Sequence, residues 1–256
     1  MENAHNPVDK EKQNQMLKLV TNSFFKELQN YGVDTSDIVT VSVNLLDFVT
    51  KSKDKSSLGN GFYNDSFLIK DIQDNWDSTK SFSIKQVTIQ PLKPENLSEL
   101  AVWLRAPEIE NTFIRYFPKE EDVLEKYFFT RSDVHYFAIL YEGNYVGVIG
   151  AENKDEQFRK LEMKKFIGNR SYRRKGIGKL ATFLFLYFAF ESLHYNKVFI
   201  HSLDTNIKNI NLNSKFGFEL EGILYKEARV HDSFRDVLRM GLLKENWEKI
   251  FSQSPE

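Results

Sequence analysis

The sequence predicts a mixed α/β fold, a central and mostly antiparallel sheet flanked by helices, with a small N-terminal α/β extension. Three observations point there. Apolar residues alternate through Val134–Asn153 on both sides of a Gly143-Asn144 pair, a hairpin signal. A nearly unbroken apolar run follows the basic glycine stretch Arg173–Lys179, as a buried helix requires. Residues 219–230 and 234–243 then alternate as two antiparallel strands.

Taken in order, residues 1–15 are polar and predict a flexible tail. Met16, Leu17, Val20, Phe24, Leu28 and Tyr31 recur at helical spacing. Residues 37–49 alternate Val39, Val41, Val43 and Leu45, as the start of a strand would. The Ser- and Lys-rich segment 50–61 ends in glycines and predicts a loop or linker. Residues 16–82 thus form an extension without an assigned role, 83–250 the main domain and 251–256 a second tail. Residues 83–92 alternate as one strand. A helix follows over 93–107, with Pro94 near its start and Pro107 beyond its end. A second helix is expected over 120–130, a strand over 158–168, a helix over Lys179–His194 and a short strand over 197–203. Asn206–Phe216 is helical, with Gly217 as the glycine just past its end and Phe218 closing it.

Composition narrows the function. With 256 residues, 41% of them hydrophobic, the chain can bury a substantial core. A formal net charge of −1 argues against a general polyanion binder, so no nucleic-acid partner is expected. The absence of cysteine excludes disulfides, thiolate nucleophiles and zinc–thiolate sites, and suits a cytoplasmic protein. No apolar stretch follows a basic start, and the run at 180–190 is too short to span a bilayer, so neither secretion nor a membrane partner is expected. No pair of carboxylates or histidines has metal spacing, and no internal repeat is present.

The positive charge is local. Arg170, Arg173, Arg174, Lys175 and Lys179 cluster between Asn169 and Lys179 with no acidic residue among them. Glycine lets the backbone approach a ligand closely, and the following helix aims the positive end of its dipole at the same point. Together they describe a phosphate cradle, against the plainer readings of a solvated helix cap or a targeting tract. A P-loop needs Gly where Arg173 stands and Ser or Thr where Leu180 stands, and is excluded. Gly176-x-Gly178-x-x-Ala181 with Asp204 downstream matches a dinucleotide fingerprint on paper, but its first glycine follows Arg-Arg-Lys rather than a hydrophobic strand. The third pattern, Arg-x-x-Gly-x-Gly, is met by Arg173, Gly176 and Gly178.

With that pattern the sequence resembles the GNAT superfamily of N-acetyltransferases. Asn206 and Leu212-Asn213-Ser214-Lys215-Phe216-Gly217-Phe218 resemble its Asn and Leu-Tyr-x-x-x-Gly-Phe helix. Residues 218–247 look like the closing strands of the branch that modifies protein N-termini, polyamines and small amines. The resemblance covers roughly 85–250. It implies direct transfer of an acetyl group from the co-substrate acetyl-CoA to a primary amine: an α-amino group, an amino sugar or another small amine. Phe166, Ile167 and Gly168 would then contact the cofactor. Arg173 and the amides of Arg174, Lys175, Gly176, Ile177, Gly178 and Lys179 would take its pyrophosphate, and Asn206 its pantetheine arm, if it does not simply cap its helix. Asn213 stands where the family often holds a Tyr thought to protonate the thiolate. Asn cannot supply that proton, which leaves Tyr225, Tyr172 or water.

Glu162, mid-strand before the cofactor segment, is the candidate base; its plain alternative is a surface carboxylate paired with Lys160 or Lys164. His201 suits a core or surface role better than catalysis, and the aromatics of 183–190 suit the core. At neutral pH an amine of pKa near 10.4 must give up about 4–5 kcal/mol of protonation preference, an α-amine near 8 only about 1–1.5 kcal/mol. A single base therefore favours a low-pKa acceptor. A different class stays open: a non-catalytic acyl-CoA-binding regulatory module, which Asn213 favours. The apolar stripe of the first helix needs cover, from the transferase domain near its acceptor side or from a second copy in a homodimer.

Overall fold

The computed structural model describes residues 7–51, 61–107, 116–203 and 206–252. Residues 1–6 and 253–256 of the two tails, 52–60 of the linker, and Asp204 lie outside these. The chain divides into two compact units, Met1–Asn60 and Gly61–Glu256.

The first unit holds two helices, α1 (Pro7–Asn30) and α2 (Thr35–Lys51). Helix α1 begins inside the stretch expected as a tail. Helix α2 replaces the strand expected at 37–49. The reason lies just upstream: the Asp34 carboxylate accepts from the N–H groups of Ser36 (2.8 Å) and Asp37 (3.0 Å), a helix N-cap. Val39 and Val43 alternate as in a strand, but they also stand four apart on one helical face. The apolar residues Leu17, Val20 and Phe24 of α1 and Val39 and Val43 of α2 are exposed.

The second unit is built on one nine-stranded sheet. It opens with β1 (Gln73–Asn75), the short helix α3 (Trp76–Thr79), β2 (Ser81–Ile84) and β3 (Val87–Pro91). The single strand expected over 83–92 is therefore a hairpin, with Lys85 at φ +53° in its tight turn. Alternation runs through both strands, so periodicity alone does not reveal the break. Helices α4 (Leu97–Leu104) and α5 (Glu121–Phe129) precede β4 (His135–Tyr141) and β5 (Asn144–Asp155), the foreseen hairpin. Next come β6 (Lys160–Ile167), α6 (Ile177–Tyr187), β7 (Lys197–Leu203) and α7 (Ile207–Ser214). The chain closes with β8 (Glu219–Val230), β9 (Ser233–Leu243) and α8 (Lys244–Phe251). Helix α6 runs into a π-helical turn at Phe188–Ser192 instead of continuing to His194.

The strand order is β1-β2-β3-β4-β5-β6-β7-β9-β8. Every neighbouring pair is antiparallel except β6 and β7, which run parallel. Side chains alternate across the sheet, so the central strands β4 and β5 feed two apolar clusters, one on each face. One, under α6 and α8, gathers Met163, Phe183, Phe185, Ile200, Trp247 and Phe251. The other, under α4 and α5, gathers Leu100, Trp103, Leu124, Phe128 and Val148. Phe67 and Phe82 are buried in the first cluster, so residues 61–82 belong with the sheet.

The end of α7 shows how tightly the frame is closed. Phe218 N–H donates to Asn213 C=O (3.2 Å) and Gly217 N–H to Ser214 C=O (2.9 Å), a Schellman closure. Gly217 sits at φ +91°, and a Cβ there would come within 2.5 Å of Ile250. Gly217→Ala should therefore destabilise the protein by about 1–3 kcal/mol, from left-handed strain plus overpacking. Urea denaturation measures this; an unchanged midpoint would show that the closure is relaxed.

Candidate active site

The site begins where two strands part. β6 and β7 are paired only over Lys160–Glu162 against Lys197–Phe199. Beyond Glu162, β6 keeps β5 on its other edge, and β7 keeps β9. Residues 163–167 thus turn one backbone edge to a fork in the sheet.

The basic glycine loop lies at the end of β6. Gly176 takes φ +79° as the N-cap of α6, a left-handed position suited to glycine. A Cβ at Gly176 or at Gly178 would meet nothing within 4 Å. The N–H groups of Lys179 and Leu180 donate to Gly176 C=O, whereas those of Arg174, Lys175, Gly176, Ile177 and Gly178 donate to no described group. Five adjacent N–H groups at a helix N-terminus, beside open space, suit an anionic oxygen. The loop residues divide their work. Arg173 clamps the loop to its strand, donating from Nε to Ile167 C=O (3.0 Å) and from Nη2 to Gly168 C=O (3.1 Å). The Lys175 ammonium lies over the Tyr172 ring (4.8 Å) and that of Lys179 over the Tyr63 ring (4.8 Å). Burial, with Lys85 and Lys215 nearby, lowers the pKa of Lys179. The Ile177 side chain is core. Gly168 is glycine for packing: a Cβ there would reach within 2.0 Å of the Trp103 indole.

A cavity of about 170 Å³ connects this loop to the fork, lined by Ile139, Lys165, Phe166, Ile167, Gly178 and Asn209. Phe166, Ile167 and Gly178 were expected at the cofactor; Lys165 and Asn209 were not. Lys165 donates to Thr182 Oγ1 (2.8 Å) and to Asn213 Oδ1 (2.9 Å). The residue keeps some surface, but burial of its ammonium pulls the pKa down to about 7. Asn213 is fully buried and donates from Nδ2 to Asn209 C=O (2.8 Å). Asn206 is exposed and caps α7, its side chain accepting from Asn209 N–H.

On the opposite face of β6, Glu162 is buried and accepts from Asn153 Nδ2 (2.7 Å) and His201 Nδ1 (3.1 Å). Burial raises its pKa, but the His201 hydrogen bond, the Lys164 charge and the Asn153 bond outweigh that, and the net direction is down. An ionised carboxylate only accepts, so the proton of the pair sits on His201 Nδ1. Beside it, Glu152 is buried and accepts from Tyr136 (2.9 Å), Tyr127 and Lys164. Lys164 is thus bonded to Glu152 rather than to Glu162. Tyr225 is 52% exposed on β8, an edge strand separated from β6 by β7 and β9, and the geometry does not bring it to Glu162. Sequence reasoning passed over Lys165 and gave His201 a core or surface role, because alternation marks only their faces, not what stands across from them.

An acetyltransferase (GNAT) domain family matches residues 86–219, just over half of the chain. The chain belongs to this family and is by class an N-acetyltransferase that takes acetyl-CoA as co-substrate. Among its relatives, the "Putative ribosomal N-acetyltransferase YdaF" of Bacillus subtilis (strain 168) is 32% identical over 110 residues. That match covers 43% of this chain and 60% of the relative's length. Spermidine N(1)-acetyltransferase of Escherichia coli (strain K12) is 23% identical over 175 residues, covering 64% of this chain and 90% of that one. A solved structure of spermidine N-acetyltransferase from Vibrio cholerae, in complex with CoA and spermine, shares the fold at a TM-score of 0.59 and 21% identity. It is covered over 98% of its length, by 63% of this chain. Among the described residues, no helix is long and apolar enough to cross a membrane.

The Glu162 pairing has a pH signature. A carboxylate whose folded pKa lies below its ordinary value of about 4.3 adds stability at neutral pH and loses it as pH falls through the folded pKa. Wild type should therefore exceed Glu162→Gln in stability at pH 7, and the gap should close in acid. Urea melts across that range read it out. A gap independent of pH would show that the carboxylate charge does not hold the pair.

Proposed function

We propose that this chain transfers the acetyl group of acetyl-CoA directly to a primary amine, through the fork between β6 and β7. The observation that carries the reading is the run of five unengaged N–H groups from Arg174 to Gly178, opening on a cavity that leads to the fork. The pyrophosphate takes these amides, and the pantetheine arm follows the cavity past Ile167 and Phe166. Arg173 acts as a positioning residue that holds the cradle against β6.

The acceptor amine approaches the face of Glu162 and His201. With its proton fixed on Nδ1, His201 presents Nε2 as a base, and Glu162 holds the ring and stabilises the imidazolium that forms. His201 thus takes the base role expected of Glu162 from sequence, and Glu162 becomes its positioning residue. The acceptor must arrive neutral, and an imidazole is too weak a base to strip an amine of pKa near 10.4 at neutral pH. An acceptor of low pKa, such as an α-amino group or an amino sugar, suits the pair best. The curated relatives named for ribosomal and spermidine acetylation support an amine acceptor in general. The exposed apolar stripe of α1 suits a second copy of the chain, in a homodimer.

Calorimetric titration with acetyl-CoA tests the cradle. Gly176→Val should weaken binding at least tenfold, because its left-handed backbone disfavours a β-branched residue. Unchanged affinity would place the cofactor elsewhere. Thiol release over an amine panel tests the base: His201→Ala should lower turnover by about 10²-fold or more, with CoA affinity retained. Wild-type turnover in that variant would return His201 to a packing role.

A further inference from the structure

The mechanism above leaves the ammonium of Lys165 unused. Lys165 stands on β6 between the fork at Glu162 and the loop that follows Ile167. Its ammonium is held by Thr182 Oγ1 and Asn213 Oδ1, both neutral acceptors, and its third N–H has no described partner. The groups around it are uncharged: Ile149 beside it on β5, Gly178 and Thr182 on α6, Asn209 and Asn213 on α7. No described carboxylate pairs with it. An ammonium without a counter-ion, lining a narrow cavity, is poised for an anion formed there.

We propose that the Lys165 ammonium is the acid that serves the departing thiolate of CoA. The proposal rests on acetyl-CoA occupying the cavity as argued above. The amine nitrogen bonds to the thioester carbonyl carbon, and its surplus proton passes to the base on the opposite face of β6. The carbon–sulfur bond then breaks with its electron pair going to sulfur, and a proton moves from Lys165 Nζ to that sulfur. Amide and free CoA thiol result, and neutral Lys165 regains a proton from water. Thr182 and Asn213 aim the ammonium, and the Asn213 amide in turn is fixed by Asn209. A buried lysine whose pKa falls to about 7 can make this transfer at neutral pH, where an ordinary lysine holds its proton too tightly.

The first arm of the test follows bound CoA and needs no acceptor. Ultraviolet absorbance of the thiolate is titrated in complexes of CoA with wild type, Lys165→Met and Lys165→Arg, with calorimetry confirming that each binds. In wild type the lysine gives up its proton before the thiol does, so the thiolate should titrate close to Lys165→Met. In Lys165→Arg, a cation that cannot give up its proton, the thiolate should appear at least one pH unit lower, because that cation stabilises the sulfur anion. With glucosamine as acceptor probe, Lys165→Arg should still show turnover reduced about tenfold or more. Lys165→Met should also raise the melting temperature near pH 6, since it removes a buried charge that the unfolded chain hydrates freely, whereas a lysine kept for structure would be missed. Identical thiolate titrations in Lys165→Arg and Lys165→Met, with CoA bound to both, would show that this side chain does not reach the sulfur; they overturn the proposal and leave the cradle standing. Failure of CoA to bind wild type overturns both. Acetylation of Lys165 itself on incubation with acetyl-CoA, detected by mass spectrometry, would make it an acceptor and also overturn the proposal.

Discussion

The brevity of one strand pairing governs this molecule. β6 and β7 join for three residue pairs and then diverge, the one parallel contact in the sheet. In a continuous sheet the facing backbone edges of 163–167 and 200–203 would satisfy each other. Here each strand is held by its outer neighbour alone, and the inner edges are left for something else. An unpaired buried backbone group costs about 1–3 kcal/mol, so a fork of this depth calls for a ligand able to exchange hydrogen bonds with a strand. A pantetheine arm, with its two amides, has that chemistry.

The glycine loop finishes the same construction. Charge in this region first suggests that arginines and lysines grip phosphate, but the geometry assigns much of the charge elsewhere. Arg173 is spent on two carbonyls of the strand end, and the ammonium groups of Lys175 and Lys179 lie over aromatic rings. The proposed anion site is made of backbone: consecutive N–H groups, a left-handed glycine and the end of a helix dipole. The side chains keep that backbone in place and raise the local potential. This division explains how a chain of net charge −1 can present an anion site without a broadly basic surface.

How much was legible in sequence follows from how local each feature is. The β4–β5 hairpin, the glycine loop that opens α6 and the Gly217 closure are encoded within a few residues, and all three were readable. Helix α2 was missed although its cap at Asp34 is local, because alternating valines also satisfy a helical face. The β2–β3 turn was missed because Lys85 adopts a positive φ that nothing in its chemistry announces. The proposed catalytic neighbourhood was the least legible part. Glu162 and His201 stand 39 residues apart, and Lys165 and Asn213 stand 48 apart. Alternation can place each on a face, but only the strand order brings β7 and α7 against β6.

That alternation has one more consequence. Glu162, Lys164 and Phe166 share the face covered in part by α4, while Met163, Lys165 and Ile167 share the face beneath α6. A strand at the edge of a fork thus presents a carboxylate–imidazole pair on one side and an ammonium on the other, only three residues apart along the chain. Transfer of an acyl group from sulfur to nitrogen needs a proton removed at one end and supplied at the other. If both duties fell to groups on one face, base and acid would pair with each other and neutralise the pKa difference that each requires. The pleat of β6 holds them apart. The buried ammonium can then respond to negative charge on sulfur, while the carboxylate responds to positive charge on imidazole.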